Sequence, residues 1–234
     1  MARPPSQASR RGSHQRMSAE ERAWAKTYAE TPYTKLPWYS PRPSPWVKQA
    51  VENRWIRPPS LVLDIGCGAG TTVLWLCREE FRATGLDLAP GAIDAARGRA
   101  HRRKIPATFV QGSATAMPFP KATFDAASDN GCFHAIPLAA RGDYASEVAR
   151  VVKPGGAFLL TWIGREETRT YGPPHRPSLE EVATIFEPTF TFIRTEFFGA
   201  DLPGAWTTGG PGGQSLARYS ALLRRRRSAQ PPPR

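Results

Sequence analysis

A short segment rich in glycine holds the residues with the clearest capacity to bind a ligand. The segment comes directly after an apolar run, LVLDI, and contains Asp64, Gly66, Cys67, Gly68 and Gly70. Glycine lets a backbone turn tightly and approach a ligand closely at the carboxyl end of a strand. We therefore predict a cofactor-binding loop after a buried strand.

The spacing of these glycines disfavours a dinucleotide such as NAD. A dinucleotide loop has the pattern G-x-G-x-x-G, whereas this loop is G-x-G-x-G, with Thr71 where the last glycine would stand. Asp64 would also repel a pyrophosphate, whereas a carboxylate there suits a cationic ligand. Asp87 ends the next strand-like run, where a carboxylate can accept hydrogen bonds from ribose hydroxyls of any nucleoside cofactor.

Strand-like and helix-like runs alternate from residue 61 to residue 163. The strands are predicted at LVLDI, TGLDL, ATFVQG, 124–129 and 156–163, and the helices at 70–81, 90–103 and 138–152. This alternation is typical of a parallel sheet covered on both faces, so we predict a doubly wound α/β fold. Beyond it, Ser178 and Glu181 cap another helix, and two strand-like runs, TFTFIRTEFF and SLARYSALL, predict an antiparallel hairpin at the sheet edge.

The residues before the first strand predict two helices and a lid. Ser18 and Glu21 form a capping box ahead of one helix, and Ser44 with Pro45 begins a second that runs to about Arg57. Between them, TPYTKLPWYSPRPSPW contains five prolines and four aromatic residues. This composition excludes regular structure and suits a loop that packs flat rings over a ligand.

The positive charge of the chain is concentrated at its two ends. Nine arginines and no acids lie in 1–16 and 224–234, so the net charge of +12 falls by nine, to +3, for the rest. These ends are poor in apolar residues, and we predict disordered basic tails there, a helical lid segment at 17–59 and the main domain at 60–223. A solvated terminus is the simpler interpretation of each tail, and contact with nucleic acid or with an acidic membrane surface is the alternative.

Composition argues against several other classes of protein. No run of 18 apolar residues exists, and no apolar stretch follows the N-terminal arginines, so we predict no membrane span and no secretory signal, and a cytoplasmic location. Cys67, Cys77 and Cys132 form no CxxC pair and are odd in number. We therefore predict neither a disulfide framework nor a metal site.

Four segments resemble, in order, successive motifs of class I S-adenosylmethionine-dependent methyltransferases. They are LDIGCGAGT, TGLDLAPGAIDAA, VQGSATAMPFPKATFDAA and EVARVVKPGGAFLLTW, and they cover about residues 60–163. The resemblance implies a seven-stranded Rossmann-like sheet of order 3-2-1-4-5-7-6 with strand 7 antiparallel. It also implies S-adenosylmethionine as the cofactor and methyl transfer as the activity.

The same resemblance assigns cofactor contacts to matching positions. Asp64 and the loop from Gly66 to Gly70 would hold the methionine part, Asp87 the ribose and Leu88 the adenine face. Ser113 and Ala114 would bind the adenine edge. Asp129 and Asn130 would bind the amino group and lie on the acceptor side. Relatives often have an acidic residue at the position of Ser113. Because this chain has a serine there, we expect backbone groups to contribute more of the contact with adenine.

Two further stretches are similar to the thiopurine, thiol, halide and tellurite methyltransferases. They are LPWYSPRPSPWVKQAV and DNGCFHAI, and they imply a small acceptor with a soft nucleophile, a thiol first. A thiol, with a pKa of about 8.5, needs little help from a base, whereas a phenol, with a pKa of about 10, would want one. O- or N-methylation of a quinone-like or natural-product molecule stays open, and an RNA or protein methyltransferase that uses the arginine tails is a further alternative.

Three residues, His134, Tyr39 and Asp129, are candidates for catalysis on the acceptor side. His134, five residues past Asp129, is either a general base at the acceptor or a structural histidine near a helix start. Tyr39 is a candidate hydroxyl on the acceptor side, and Trp38 with Tyr39 could shield the sulfonium from water. Cys132 is not needed as a nucleophile, because in-line methyl transfer is direct.

Overall fold

Seven strands form one mixed sheet in the computed structural model of the protein, which describes residues 19–168, 175–199 and 216–227. The strands are β1 (Leu61–Ile65), β2 (Arg82–Asp87), β3 (Thr108–Gln111), β4 (Phe124–Asn130), β5 (Val152–Ile163), β6 (Phe190–Phe198) and β7 (Arg218–Arg225). Their order, β3-β2-β1-β4-β5-β7-β6, is the predicted one. Strands β1 to β5 are parallel, and β7 is antiparallel to both β5 and β6, which confirms the predicted hairpin.

Six α-helices in the described part of the chain surround or precede the sheet. They are α1 (Ala19–Glu30), α2 (Pro45–Glu52), α3 (Thr71–Arg78), α4 (Pro90–Arg103), α5 (Arg141–Val151) and α6 (Leu179–Phe186). Helices α2 and α3 end earlier than predicted, because Arg54 and Glu80 take left-handed backbone conformations and turn the chain out of the helix. Helix α5 begins three residues later than predicted, after a 3-10 turn at Leu138–Ala140.

The core consists of two apolar layers, one on each face of the sheet. Alternation along β1 divides its side chains between them, with Leu63 and Ile65 in one layer and Val62 in the other. The first layer includes buried aromatic residues of the turn after β4, α5, β5, α6 and β6, namely Phe133, Tyr144, Phe158, Phe186 and Phe190. The second layer is covered by α2, α3 and α4, and α1 contacts α4.

The two ends of the chain lie partly outside the described residues. Ser18 of the predicted capping box, the predicted N-terminal tail and residues 228–234 are among the positions that are not described. The predicted boundary at 224 falls too early, because β7 continues to Arg225. Arg224 donates to the carbonyl of Trp55 at 3.0 Å, and Arg225 donates to the carbonyl of Val152. The first arginines of this run are therefore part of the folded domain.

Candidate functional site

A cavity of about 1320 Å³ opens at the carboxyl ends of β1, β2, β4 and β5. Most of the residues predicted to form a site line this cavity, namely Asp64, Gly66, Cys67, Gly68, Asp87, Leu88, Ser113, Ala114, Asn130, His134 and Tyr39. Gly70 and Asp129 are not on its wall. The volume exceeds that of the usual site for one drug-sized ligand, so the cavity has room for a cofactor and a second molecule.

Asp64 is a buried carboxylate at the end of β1. The sheet register places it opposite Ser128 of β4, whose hydroxyl donates to Asp64 Oδ1 at 2.7 Å. Burial, together with the negative charges of Asp129 and Asp87, raises the pKa of Asp64 to about 7, and the hydrogen bond from Ser128 opposes the rise. A cation placed beside this carboxylate would relieve the cost of its charge, so Asp64 fits the cationic part of a ligand.

Close contacts with neighbouring residues require glycine at two positions of the loop. Gly66 has a φ of +67°, and a Cβ at this position would lie 2.5 Å from Cβ of Cys132, which comes from the loop after β4. Gly70 also has a positive φ, and a Cβ there would lie 2.6 Å from the ring of Phe109. Gly70 therefore brings the loop against β3 and α4, and the geometry disfavours its predicted contact with the cofactor.

Asp87 shapes the loop as well as lining the cavity. Its Oδ2 accepts from the N–H of Gly68 at 2.8 Å and its Oδ1 from the N–H of Ala89 at 3.0 Å. Burial raises the pKa of Asp87, and these backbone bonds oppose the rise. A carboxylate has about four acceptor positions. Two bonds from the backbone therefore leave capacity for the ribose hydroxyls that the sequence predicted.

Ser113 and Ala114 form the wall after β3, where the adenine edge was predicted. The hydroxyl of Ser113 shares a hydrogen bond with the hydroxyl of Thr115 at 2.8 Å and accepts from the N–H of Thr115 at 3.2 Å. This hydroxyl is thus engaged in its own turn. The geometry supports the expectation that backbone groups contribute much of the contact with adenine.

Asp129 faces its own loop and not the cavity. Its Oδ1 accepts from the N–H groups of Gly131 and Cys132, at 2.9 and 2.7 Å, and its Oδ2 accepts from the N–H of Phe133 at 2.9 Å. The hydroxyl of Tyr144 donates to the same Oδ2 at 2.5 Å. Aspartate commonly closes such turns by accepting from backbone groups a few residues on. The geometry disfavours the predicted catalytic and cofactor contacts of Asp129 and makes it a positioning residue for the loop.

His134 lies in the 3-10 turn Phe133–Ala135 that follows β4. Its Nδ1 accepts from the N–H of Ile163, at the end of β5, at 3.0 Å. A neutral imidazole whose Nδ1 is an acceptor has its proton on Nε2. Burial, and then the positive charges of Arg141 and Arg176, lower the pKa of His134 to about 3. This geometry disfavours the predicted role of general base and favours a hydrogen-bond donor.

The lid predicted from the aromatic segment lies over the cofactor loop. Tyr28 of α1, which sequence reasoning did not single out as a site residue, lines the cavity, and its hydroxyl accepts from Nε1 of Trp38 at 3.2 Å. A Cβ on Gly68 would lie 3.2 Å from the same hydroxyl. Trp24 contacts Trp38 edge to face at 5.4 Å between ring centroids. The signal for Tyr28 was its helical spacing from Trp24.

Arg99 of α4 joins the lid to the loop, and sequence reasoning did not identify it. Its guanidinium donates to the carbonyl of Ala69 and, at 2.9 Å, to the hydroxyl of Thr71. It also lies over the rings of Tyr33 and Tyr39, at 5.6 and 5.7 Å from their centroids. Tyr39 is therefore next to the cofactor loop, whereas His134 is against β5. An arginine among the polar residues of a helix gives no sequence signal of such a position.

The sequence comparisons agree with the form of this site. Residues 62–156 match a family model described as "Methyltransferase domain". The chain is 36% identical over 124 residues to an uncharacterised methyltransferase of Synechocystis, covering 53% of this chain and 57% of that protein. It is 30% identical over 125 residues to a 2-heptyl-1-hydroxyquinolin-4(1H)-one methyltransferase of Mycobacteroides abscessus, covering 53% and 54%. It is 42% identical over 103 residues to a fatty-acid O-methyltransferase of Mycolicibacterium smegmatis, covering 43% and 36%.

Solved structures extend the likeness beyond the matched segment. One, from work on the conversion of a disulfide bond into a thioacetal group during echinomycin biosynthesis, has a TM-score of 0.75 at 23% identity and covers 90% of this chain and 94% of that one. Another, a 1,6-didemethyltoxoflavin-N1-methyltransferase of Burkholderia thailandensis with bound S-adenosylhomocysteine, has a TM-score of 0.65 at 19% identity and covers 88% and 87%. The chain spans little more than half the length of the first curated relatives it matches. It has the Rossmann-like fold of these solved structures, and its residues 62–156 match the methyltransferase-domain model.

Proposed function

We propose that the protein transfers a methyl group from S-adenosylmethionine to a small-molecule acceptor by direct in-line displacement. The observation that carries this proposal is one cavity with two different parts. Asp64, Asp87 and the glycine loop form a part that suits a cationic nucleoside, and His134 and Ile163 border the part beside β5. S-adenosylmethionine supplies a methyl group already activated on a sulfonium. The task of the chain is to orient the acceptor and exclude water, and the aromatic lid serves the second purpose.

The acceptor is proposed to be a thiol or another nucleophile that ionises readily near neutral pH. On the described part of the wall beside Ile163, the one imidazole, that of His134, already uses Nδ1 as an acceptor. An acceptor that needs strong deprotonation would lack an evident base there. The substrates in the names of two relatives, a hydroxyquinolone and a fatty acid, keep oxygen methylation of an acidic small molecule as the second candidate. The resemblance to thiopurine and thiol methyltransferases supports sulfur first.

A methyltransferase of RNA or protein is the third and weakest candidate. Its support was the arginine-rich ends of the chain. Arg224, Arg225 and Arg226 donate to main-chain carbonyls of Trp55, Val152 and Glu187, and these contacts account for the first arginines of the C-terminal run without a nucleic acid. In the described ranges, no helix is both long enough and apolar enough to cross a bilayer.

Methyl transfer can be tested with labelled cofactor and a panel of acceptors. The panel contains thiols, carboxylic acids, phenols and amines, with bulk RNA as a separate arm. We expect methylated thiol or acid products and no transfer to RNA. Transfer to RNA alone would overturn the proposal, and so would tight binding of the cofactor without any product across the panel.

Asp64 predicts how cofactor binding depends on pH. Its pKa of about 7 is above its ordinary value of 3.8, so below pH 7 a cation must displace a proton from the carboxyl to bind. We expect the Kd for S-adenosylmethionine to fall up to about tenfold per pH unit between pH 5.5 and 7, then to level off. Calorimetry in two buffers of different ionisation enthalpy measures the affinity and the released proton.

Two variants and one stability measurement check this assignment. Asp64→Asn removes the proton release and weakens binding at pH 7.5, whereas Asp125→Asn, which changes an acid paired with Lys153 away from the cavity, keeps the pH profile. A raised pKa in the folded state means that the ligand-free protein binds more protons than the unfolded chain. Its stability should therefore fall as the pH rises from about 4 to about 7, and Asp64→Asn should flatten that slope. A flat binding profile in the unmodified protein would contradict the role of Asp64.

A further inference from the structure

The hydroxyl of Tyr28, on α1, lies at the cavity wall next to the cofactor loop. A Cβ on Gly68 would lie 3.2 Å from this hydroxyl, and the N–H of Gly68 donates to Asp87 Oδ2 at 2.8 Å. A Cβ on Gly91, in the first turn of α4, would lie 3.0 Å from Cβ of Tyr28. Because Gly68 is bonded to Asp87 and Gly91 follows Asp87 by four residues, Tyr28 is close to the end of β2, where Asp87 lines the cavity.

The indole of Trp38 determines how this hydroxyl can form hydrogen bonds. Nε1 of an indole is only a donor, so the phenol oxygen of Tyr28 is the acceptor in the 3.2 Å bond with Trp38. A hydroxyl that accepts one hydrogen bond still has its own proton to donate. In the described ranges no group accepts this proton, and both Tyr28 and Trp38 line the cavity. The O–H of Tyr28 is therefore available to a ligand.

The surroundings keep the proton on this hydroxyl. Burial, and then the negative charge of Asp87, raise the pKa of Tyr28, and the hydrogen bond from Trp38 opposes the rise. The phenol is therefore neutral at physiological pH and can donate. An ionised Asp87 offers acceptors alone, which suits the protons of ribose hydroxyls but none of the oxygen lone pairs of a nucleoside cofactor. Tyr28 supplies a donor for those lone pairs beside the same part of the cavity.

We propose that the hydroxyl of Tyr28 donates a hydrogen bond to an oxygen of the bound cofactor, either a ribose hydroxyl or the methionine carboxylate. This inference rests on the proposed use of S-adenosylmethionine and adds a binding residue to it. Both of these oxygens can accept a hydrogen bond, whereas the ammonium group of the cofactor cannot. Helix α1 is then part of the cofactor site, and Trp38 is a positioning residue because its N–H occupies the phenol oxygen as an acceptor.

Tyr28→Phe tests the contact without any turnover. The substitution removes the hydroxyl and keeps the ring that packs against Gly91. We expect full-length Tyr28→Phe to bind S-adenosylhomocysteine at least about fivefold more weakly in calorimetry, as the loss of one hydrogen bond predicts. The matched control is Tyr219→Phe, because the hydroxyl of Tyr219 donates to Glu166 at 2.9 Å and Tyr219 is not on the described cavity wall. Unchanged affinity in Tyr28→Phe would refute the contact.

A second ligand, 5′-methylthioadenosine, distinguishes the two oxygens, because it keeps the ribose and has no methionine carboxylate. Equal weakening of both ligands by Tyr28→Phe assigns the contact to the ribose, and weakening of S-adenosylhomocysteine alone assigns it to the carboxylate. In the first case, the 2′-deoxy and 3′-deoxy forms of 5′-methylthioadenosine identify the hydroxyl, since the form that lacks it becomes insensitive to the substitution. Equal sensitivity of both deoxy forms would contradict an oxygen contact on the ribose.

Trp38→Phe separates a direct contact from an effect transmitted through the lid. It removes the Nε1 donor and keeps an aromatic ring against Trp24, whose centroid is 5.4 Å from that of Trp38. If Tyr28 contacts the cofactor, Tyr28→Phe weakens binding of S-adenosylhomocysteine in the Trp38→Phe background as well. An equal loss in Trp38→Phe alone, with no further loss in the double variant, would mean that Tyr28 only supports the lid, and this result would overturn the proposal.

These measurements also distinguish the Tyr28 contact from the proposed activity. If binding of S-adenosylhomocysteine depends on Tyr28 as expected but no acceptor in the panel is methylated, the activity fails and the contact stands. If an acceptor is methylated and Tyr28→Phe binds the cofactor as tightly as the unmodified protein, the activity stands and the contact fails. Failure of the unmodified protein to bind S-adenosylhomocysteine at all would overturn both.

Discussion

Gly66→Ala is expected to abolish binding of S-adenosylmethionine at concentrations that saturate the unmodified protein. Gly66 has a φ of +67°, a conformation that costs a residue with a Cβ about 1–2 kcal/mol. The new Cβ would also lie 2.5 Å from Cβ of Cys132, and relief of such overlap in a packed site costs about 1–3 kcal/mol. The loop must therefore move, and a change of about 3 kcal/mol corresponds to a loss of more than 100-fold in affinity. Calorimetry measures the affinity, and thermal unfolding measures the stability.

A control variant and a double variant separate the causes of the affinity loss expected in Gly66→Ala. Gly142→Ala adds a Cβ in α5 with nothing within 4 Å, and we expect it to raise stability by about 0.5–1 kcal/mol and to leave binding unaffected. The double variant Gly66→Ala/Cys132→Gly removes the neighbour that the new Cβ meets, so it should recover the packing cost but not the dihedral cost. Cofactor affinity near that of the unmodified protein in Gly66→Ala itself would show that the loop is not as tightly held as the structure indicates.

Asp129→Ala is expected to destabilise the protein by about 3–5 kcal/mol, because it leaves several buried donors without a partner. Three backbone N–H groups and the hydroxyl of Tyr144 converge on this carboxylate. The loop that they hold includes Cys132 and His134, so the acceptor end of the cavity should lose its shape as well. Denaturant unfolding measures the free energy, and the ¹⁵N spectrum of His134 reports the loop.

Tyr144→Phe is the matched control for Asp129→Ala. It removes one of the four donors and keeps the ring, which is buried against Phe133 and Phe186. We expect a loss of about 1–2 kcal/mol and a loop that keeps its structure. A purely catalytic Asp129 would give the opposite result, with stability close to that of the unmodified protein and a large fall in turnover in Asp129→Ala.

Much of the fold follows from local patterns in the chain. The glycine loop, the continuous apolar strands and the alternation with helices indicate a doubly wound sheet, because each depends on neighbours within a few residues. The sequence predicts no helix between its last two strand-like runs, and this pattern likewise predicts their antiparallel pairing. Asp64 and Asp87 could be placed at the cavity from sequence, because parallel strands of a doubly wound sheet bring their carboxyl ends to one edge.

The orientation and hydrogen bonding of these site side chains depend on partners that are distant in sequence. The geometry favours a hydrogen-bond donor over a base at His134, because the N–H of Ile163, 29 residues away, donates to Nδ1. The carboxylate of Asp129 faces away from the cavity because it accepts hydrogen bonds from the backbone of its own loop and from the hydroxyl of Tyr144 on α5. Arg99 reaches the cofactor loop 30 residues earlier in the chain.

The glycine loop and the acids at the strand ends therefore indicated a nucleoside cofactor other than NAD, and the tertiary structure decided how the rest of the cavity is built. Glycine spacing and an acid at a strand end are local properties that a sequence displays directly. A tautomer, the direction of a buried carboxylate or the charge of a cavity wall depends on which groups the sheet register brings together. Ile163 illustrates the difference, because its backbone is bound to His134 and its register partner is Arg218, and no pattern in the sequence joins those three residues.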